Sequence, residues 1–332
     1  MSSSTPSVKI GSSSMRWSYI PVFLFLILGV LAGSSTALGQ TQKAKSKKAT
    51  AFRWVNPLSE KEIARYPSVT HATFESTSLE EKVGYCIYLP PQYAEPQWRT
   101  RQFPVVYYLH GGRPGSEKKS LKLTEVIHQQ IQSGAVPPMI YVFVNGGPVS
   151  HYNVPSDPAV RGADVFINEL IPHIDSTYRT IPRREGRALE GFSQGGRGTA
   201  RLMFRYPELF CCASPGGGGH ATEKRISEEG GAESPELVFA EGDNTWDLAT
   251  TYAERLRKNE CPQVDILVHV GDQGFNYANN LDWMKHLREL DIQHESLIVA
   301  GAEHNALQIY EKVGKRIMLF HATHFKSPVK ER

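Results

Sequence analysis

The sequence is poor in several features that would point to particular classes of protein. It has four cysteines in 332 residues, and no Cys/His spacing in it resembles a zinc site. Basic and acidic residues nearly balance, at 37 and 34, which gives no argument for binding nucleic acid or an anionic membrane. No internal repeat is visible, so a repeat architecture is not expected. After residue 39 there is no long apolar run, and that part of the chain is expected to be soluble outside the cytoplasm.

The long apolar run that does occur lies near the start of the chain. Lys9 and Arg16 precede the apolar stretch from Tyr19 to Leu31, and small residues that include Ala37-Leu38-Gly39 follow it. A basic start, an apolar middle and a small-residue end are typical of a secretory signal peptide. The apolar stretch is short for a membrane span, which needs about 20 residues, and an uncleaved membrane anchor is the alternative. We therefore expect residues 1–39 to be a signal peptide and the protein to be secreted or periplasmic.

The remaining chain is expected to form one folded domain with short ends. Residues 40–60 are expected to be a polar linker, residues 61–326 the domain and residues 327–332 a tail. Without the signal peptide the balance is 35 bases against 34 acids, a net charge near +1, because Lys9 and Arg16 are the charged residues that it contains.

The four cysteines leave one disulfide pairing open. Cys211 and Cys212 are neighbours whose side chains point to opposite faces if they lie on a strand, so a bond between them is not expected. Either one could pair with Cys261, because the expected compartment permits disulfides. Cys86 is expected to be free and buried.

Strand and helix patterns alternate along the domain. Residues 69–76 and 82–89 alternate apolar and polar side chains, which predicts antiparallel strands. Continuous apolar runs at 104–109 and 139–144 predict strands buried on both faces. Further strands are predicted at 187–190, 209–214, 264–270 and 295–299, and helices at 120–133, 163–178 (kinked or interrupted at Pro172), 196–206, 246–259, 277–291 and 306–325. This α/β alternation predicts a mostly parallel sheet covered by helices on both faces.

The segment Gly191-Phe192-Ser193-Gln194-Gly195 carries the strongest chemical signal. It has the form Gly-x-Ser-x-Gly of a nucleophile elbow, in which a strand turns sharply into a helix and exposes one serine hydroxyl. Glycines flank the serine because a side chain at either place would collide across so tight a turn. The predicted strand before it and the predicted helix after it, which stops at Pro207, supply the expected context.

A serine hydroxyl needs a neighbouring base before it can act as a nucleophile. In a parallel sheet the chemistry lies beyond the carboxyl ends of the strands, and the order along the chain for this elbow is serine, acid, histidine. His304 lies in a loop just after the last predicted strand, where the base is expected. The other histidines beyond the elbow helix lie in a glycine-rich loop, in a strand or near helices.

The acid that would orient this histidine is less clearly marked. Asp272 follows the predicted strand 264–270 and could reach a histidine in the next loop, although it could also be a helix N-cap. Asp243 and Asp247 follow another apolar run. We favour Asp272, and Asp243 is the first alternative.

Attack of a serine on a carbonyl group also needs donors for the oxyanion that forms there. The backbone N–H groups of Gly111 or Gly112, in the loop after the first buried strand, and of Gln194, after the serine, are the candidates. His110, which begins that loop, is more readily explained as a packing residue than as a base.

Together these motifs resemble the putative-esterase family of α/β-hydrolases, which includes feruloyl esterases, S-formylglutathione hydrolases and enterochelin-type esterases. The resemblance covers about residues 66–322 and rests on segments at 88–93, 104–111, 169–180, 190–196 and 301–304. It implies an α/β-hydrolase fold for residues 61–326, with a mostly parallel central sheet, helices on both faces and antiparallel N-terminal strands. It also implies Ser193 as nucleophile, His304 as base and the Gln194 N–H as an oxyanion donor.

The chain departs from the family at the acid. In the family the acid commonly comes three residues after a glycine and just before an apolar or aromatic residue, and here Gly274 occupies that place between Gly271 and Phe275. Three possibilities follow: the loop shifts to present Asp272, another acid substitutes, or the triad is impaired.

The sequence therefore predicts a secreted serine carboxylic-ester hydrolase that works through an acyl-enzyme. Secretion and the resemblance favour a small-molecule or polysaccharide ester as substrate, such as feruloyl or acetyl groups on xylan. Trp246, Phe275, Tyr277 and Trp283 could supply an aromatic wall for it. No metal or organic cofactor, no nucleic acid and, after signal cleavage, no membrane is expected as a partner, and the oligomeric state is open. The alternatives are an acyltransferase with the same triad and a catalytically impaired binding protein.

Overall fold

A computed structural model describes residues 52–221 and 239–326 of the chain. The predicted signal peptide, the first part of the predicted linker and the tail lie outside the described residues. Within them, eight strands form one sheet and two short strands form a separate hairpin. The eight are β1 (Val69–Ser76), β2 (Glu81–Tyr88), β3 (Val105–Leu109), β4 (Ile140–Val144), β7 (Arg187–Phe192), β8 (Cys212–Gly216), β9 (Asp265–Gly271) and β10 (Glu295–Val299). The hairpin is β5 (Asn153–Val154) with β6 (Asp157–Arg161).

The sheet order is β1-β2-β4-β3-β7-β8-β9-β10. The pairs β1·β2 and β2·β4 are antiparallel, and every later neighbour from β4 to β10 is parallel. This arrangement confirms the predicted fold class, a mostly parallel sheet with antiparallel strands at its N-terminal edge. Because β3, β7, β8, β9 and β10 run in one direction, the loops that follow them meet at one edge of the sheet.

Helices cover both faces of the sheet. They are α1 (Glu60–Arg65), α2 (Leu123–Gln132), α3 (Gly162–Asp164), α4 (Ile171–Thr177), α5 (Gln194–Arg205), α6 (Thr245–Arg257), α7 (Tyr277–Glu289) and α8 (Ala306–His324). Apolar side chains of α3 to α7 belong to one buried cluster, and those of α2 and α8 belong to a second. Successive residues of β3 alternate between the two clusters, Tyr107 in the first and Tyr108 in the second, as expected of a strand buried on both faces.

The helix predicted at 163–178 is continuous but not uniform. A π-helical segment, Val165–Leu170, joins α3 to α4, and Pro172 lies in the first turn of α4. Proline lacks a backbone N–H, and the first turn of a helix is where that loss is tolerated. Pro172 therefore follows a change of helical register and does not end the helix.

The predicted linker is too long at its C-terminal end. Trp54 is buried, its carbonyl accepts a hydrogen bond from Gly84 N at 2.7 Å, and Asn56 N donates to Glu117 Oε1 at 2.6 Å. Ser59 then caps α1, whose first residue is Glu60. The described residues before 61 are part of the domain because the Trp54 side chain is large and apolar and its burial favours packing on the sheet.

The four cysteines are free thiols in the structure. Cys86, Cys211 and Cys212 are buried, and Cys261 is partly exposed, so the pairing considered for Cys261 is not formed. None of the helices described in 52–221 and 239–326 is long and apolar enough to cross a membrane.

Candidate active site

Ser193 lies at the turn between β7 and α5, in the strained backbone conformation of an elbow. Its φ of 60° and ψ of −121° are unusual for a residue with a side chain. A Cβ atom on Gly191 would lie 2.5 Å from the Gly195 carbonyl oxygen, and one on Gly195 would lie 1.9 Å from the Leu109 carbonyl oxygen. Neither glycine can be replaced without moving backbone, which is the reason that the motif has glycine at both places.

His304 lies against this serine. Its Nε2 atom is 2.8 Å from Ser193 Oγ, although the two residues are 111 positions apart in the chain. The rings of Phe192 and Phe275 pack on the imidazole, with centroid distances of 4.8 and 4.2 Å. Burial lowers the pKa of His304 below its ordinary value, so the ring is neutral near pH 7 and can accept the serine proton.

Two features fix the loop that carries His304. Asn305 caps α8 by accepting hydrogen bonds from Leu307 N and Gln308 N at 3.0 and 3.2 Å. Within the sheet, the buried Glu190 carboxylate of β7 binds two side chains of α8, accepting from Tyr310 at 2.6 Å and pairing with His321 at 3.1 Å. Since Ser193 follows the same strand and His304 precedes the same helix, this contact helps to hold the two side chains next to each other.

The other imidazole nitrogen faces an asparagine. His304 Nδ1 is 3.1 Å from Asn276 Oδ1, and Asn276 is 7% exposed. Asn276 immediately precedes α7, five residues after β9 ends at Gly271, so it lies at the same edge of the sheet as Ser193. The position that an acid occupies in a serine triad is therefore filled by a neutral amide.

Neither predicted acid contacts His304, and both assignments are corrected by the geometry. Asp272 Oδ1 accepts from Gly301 N at 2.8 Å and from Gln273 Nε2 at 3.2 Å, so its carboxylate is directed to the backbone of the His304 loop. Asp243 forms a buried ion pair with Arg201. The β9–α7 loop extends far enough for its fifth residue, Asn276, and not its first, Asp272, to reach the imidazole.

The predicted oxyanion loop lies beside Ser193. A Cβ atom on Gly111 would be 3.1 Å from Ser193 Cβ and 3.7 Å from Ser193 Oγ, so the loop backbone approaches the serine closely. Gly112 has a φ of +65°, and its carbonyl accepts from Ser150 Oγ at 2.5 Å. Gln194 is the first residue of α5, and the amides at the start of a helix favour a nearby anion. Gly111 and Gln194 thus border Ser193, and Gly112 is the next residue of the same loop.

Three side chains hold this loop: Lys119 and His151, which the sequence did not single out, and His110, which it did. Lys119 Nζ donates to the Gly111 carbonyl at 3.4 Å, and His151 Nε2 donates to the His110 carbonyl at 3.0 Å. His110 Nε2 accepts from Gly146 N at 3.1 Å, and its ring packs on His151 at 4.6 Å. Burial lowers the pKa of His151 to about 4 and that of His110 well below its ordinary value, so both rings are neutral supports.

Phe275 is the most exposed of the large apolar side chains among the described residues. It is 84% exposed, and its ring lies over His304. Trp283, also considered for an aromatic wall, is fully buried against His220 at 3.8 Å and has no free face. Among residues 52–221 and 239–326, no group of three or more His, Cys, Asp or Glu side chains is placed to hold a metal ion.

A serine on an elbow, a histidine in contact with it and glycine-rich backbone beside it, at the carboxyl edge of a parallel sheet, define the class as an α/β-hydrolase-fold protein. The Esterase family model, described as putative esterase, matches residues 76–315. The chain belongs to this family, and the resemblance seen in the sequence is confirmed.

Two relatives show how far the likeness in sequence extends. Esterase Rv1288 of Mycobacterium tuberculosis is 28% identical over 151 residues, which are 45% of this chain and 32% of that protein. An endo-1,4-beta-xylanase/feruloyl esterase of Xylanibacter ruminicola is 28% identical over 148 residues, 43% of this chain and 20% of that protein. The matches thus span no more than about a third of either relative's own length.

Solved structures support the fold over a larger part of the chain. A ferulic acid esterase superposes with a TM-score of 0.64 at 21% identity, covering 78% of this chain and 98% of its own. An S-formylglutathione hydrolase of Staphylococcus aureus has a TM-score of 0.59 at 14% identity, covering 76% and 96%. At these identities the similarity establishes the α/β-hydrolase fold.

Proposed function

We propose that the protein is a secreted serine carboxylic-ester hydrolase that works through an acyl-enzyme. The observation that carries this proposal is the 2.8 Å contact between His304 Nε2 and Ser193 Oγ at the end of β7. Membership of the esterase family supports it. Secretion rests on the sequence pattern of residues 1–39.

The geometry suits a two-step reaction. His304 takes the Ser193 proton while the hydroxyl oxygen attacks the ester carbonyl, and the amides of Gln194 and of the Gly111–Gly112 loop receive the oxyanion. The tetrahedral intermediate collapses, the C–O bond to the alcohol breaks, and the alcohol leaves with the proton from His304. Water, deprotonated by His304, then attacks the acyl-enzyme and releases the acid and Ser193.

Covalent labelling tests the nucleophile directly. The wild-type protein is expected to react with a fluorophosphonate probe at Ser193, because the probe traps a serine whose proton can be removed. Ser193→Ala is expected to abolish both the label and ester hydrolysis while leaving the circular dichroism spectrum unchanged. Ser150→Ala, which removes another serine near the oxyanion loop, is the control and should still be labelled. A folded wild-type protein that takes no label would contradict the proposal.

We propose further that the substrate is an acyl-decorated polysaccharide, with a feruloyl or acetyl group as the acyl part. The exposed Phe275 ring supports this proposal because of its position. It lies over His304 at 4.2 Å, and His304 protonates the departing alcohol, so the ring borders the alcohol side of the ester. A sugar has apolar C–H faces that pack on an aromatic ring.

Phe275→Ala is therefore expected to discriminate between two esters that share the feruloyl group. For a feruloyl-arabinose ester, kcat/KM should fall about 10-fold, since covering an exposed phenyl ring is worth roughly 1.5–3 kcal/mol. For methyl ferulate, whose alcohol is small, the loss should be less than about 2-fold. Ile298→Ala, at a 38% exposed apolar position on β10, is the matched control. Equal losses on both esters would place the ring away from the alcohol.

A further inference from the structure

We propose that Asn276 is the positioning residue that completes the Ser193–His304 pair, so that this site works with a neutral amide where a carboxylate is usual. The inference rests on the proposed hydrolase function and concerns the same site. The observation behind it is the 3.1 Å contact between Asn276 Oδ1 and His304 Nδ1.

The orientation of the Asn276 amide follows from its second partner. Asn276 Nδ2 donates to the carbonyl of Gly217. A carbonyl oxygen can only accept, so the NH₂ group faces Gly217 and the amide oxygen must face His304. An amide oxygen also only accepts, so His304 Nδ1 carries the hydrogen. Nε2 is then the unprotonated nitrogen, and it faces the Ser193 hydroxyl. The amide selects the tautomer that the reaction needs.

The end of β8 and the residue that follows it bind both Ser193 and Asn276. Ser193 N donates to the Gly216 carbonyl at 2.9 Å, and Asn276 donates to the carbonyl of the next residue, Gly217. Gly217 N in turn donates to the His269 carbonyl of β9 at 2.7 Å, and Asn280 Nδ2 holds the Asn276 carbonyl at 2.9 Å. Asn276 is therefore anchored on both sides, and its oxygen has little freedom to leave His304.

This anchoring also explains why an amide suits the position. A carboxylate there would direct its second oxygen at the Gly217 carbonyl oxygen with no proton between them. Two acceptors in contact in a buried place repel each other. The NH₂ group of asparagine removes this conflict, whereas the acceptor toward His304 is kept.

A neutral amide beside His304 has one consequence for the reaction: its oxygen does not carry the full negative charge that a carboxylate would place next to the imidazolium. The groups packed against the ring are Ser193 and Phe192 from the end of β7, and Phe275 and Asn276 from the loop before α7. Asp272 is directed to Gly301 N, and Glu303 is exposed. With burial as the cause, the pKa of His304 is below its ordinary value. The acid limb of the wild-type pH profile is therefore expected below pH 6.5.

The test compares four variants with wild type on an activated aryl ester, with kcat, KM and the pH dependence of kcat/KM measured for each. Asn276→Ala removes the acceptor. Asn276→Asp restores an acceptor oxygen. Asp272→Asn tests the competing acid. Asn279→Ala is the matched control, because Asn279 bonds the backbone of His220 in the neighbouring loop and does not contact His304. Thermal unfolding establishes that each variant is folded.

Asn276→Ala is expected to lower kcat about 100-fold or more with KM nearly unchanged, since a mis-set tautomer in a serine triad costs up to about 10⁴-fold. Long-range ¹H–¹⁵N spectra of the imidazole should show hydrogen on Nδ1 in wild type and a share of the Nε2–H tautomer in this variant. Asn276→Asp should recover kcat to within about 10-fold of wild type and move the acid limb to higher pH, because a nearby carboxylate favours the imidazolium. Asp272→Asn and Asn279→Ala should keep kcat within about 3-fold.

Three results would overturn the inference: a folded Asn276→Ala with kcat within about 3-fold of wild type, a folded Asn276→Asp no better than Asn276→Ala, or an Asp272→Asn variant that loses about 1000-fold in kcat. Fluorophosphonate labelling of wild-type Ser193 is scored separately. If the wild type is not labelled, the proposed function fails. If the wild type is labelled but substitution of Asn276 leaves kcat unchanged, only this inference fails.

Discussion

Replacing His304 with alanine is expected to lower kcat for ester hydrolysis by about 10⁴-fold or more and to leave KM nearly unchanged. The imidazole Nε2 is 2.8 Å from Ser193 Oγ, where it can take the hydroxyl proton. Without a base, the hydroxyl keeps its proton and is a poor nucleophile. Steady-state kinetics on an aryl ester, together with the rate of fluorophosphonate labelling, measure both consequences.

Chemical rescue by free imidazole tests the role of the His304 ring more directly. Added imidazole should restore part of the activity of His304→Ala, because Phe192 and Phe275 pack on the native ring and would flank a free one. His286→Ala is the control, since His286 is also partly buried but contacts the Trp246 carbonyl. If His304→Ala kept more than about 1% of wild-type kcat, the base would have to be another group.

The sequence was sufficient to bring together Ser193 and the histidine that faces it. The elbow motif has a steric cause, visible in the contacts that a Cβ on Gly191 or Gly195 would make. The location of His304 follows from topology, because loops after parallel strands meet at one edge of the sheet. Both kinds of constraint are local or depend on strand order, and both can be read from residue types and spacing.

The third residue of the site could not be predicted in the same way. The expectation of a carboxylate directed attention to Asp272 and Asp243, whereas Asn276 lies five residues after β9 ends. Its side chain reaches His304 only because Gly274 and Phe275 extend the loop and Gly217 anchors the amide. Gly217 and Asn276 are 59 positions apart, and their contact depends on how two loops pack. A chemical signal did exist, since Gly274 stands where the family commonly has its acid, between Gly271 and Phe275.

The packing of residues 52–59 against the domain escaped prediction for a related reason. Basic and polar residues dominate positions 40–50, and they favoured a linker up to residue 60. Trp54 nevertheless packs into the core, and Asn56 binds the buried Glu117 carboxylate at 2.6 and 2.9 Å. One apolar side chain and one hydrogen-bonding pair determine this segment, and neither forms a periodic pattern.

Asp243→Asn is expected to destabilise the protein by about 3 kcal/mol without a direct effect on catalysis. The carboxylate pairs with Arg201, and Arg205 Nη2 lies 3.2 Å from its other oxygen. Arg201 is 1% exposed, and removing one partner of a buried ion pair leaves the other charge uncompensated, which typically costs about 3–5 kcal/mol. The free energy of unfolding from urea titrations measures the loss.

Asp247→Asn provides the control for this change, because Asp247 is exposed and lies only four residues further along the chain. Its unfolding free energy should stay within about 0.5 kcal/mol of wild type. The kcat of Asp243→Asn, measured at a temperature where the variant is folded, should match wild type, since Arg201 and not His304 is the partner of Asp243. A variant of normal stability whose kcat fell about 1000-fold would instead identify Asp243 as the acid of the triad. It would require the loop after residue 238 to bring that carboxylate to His304 in place of Asn276.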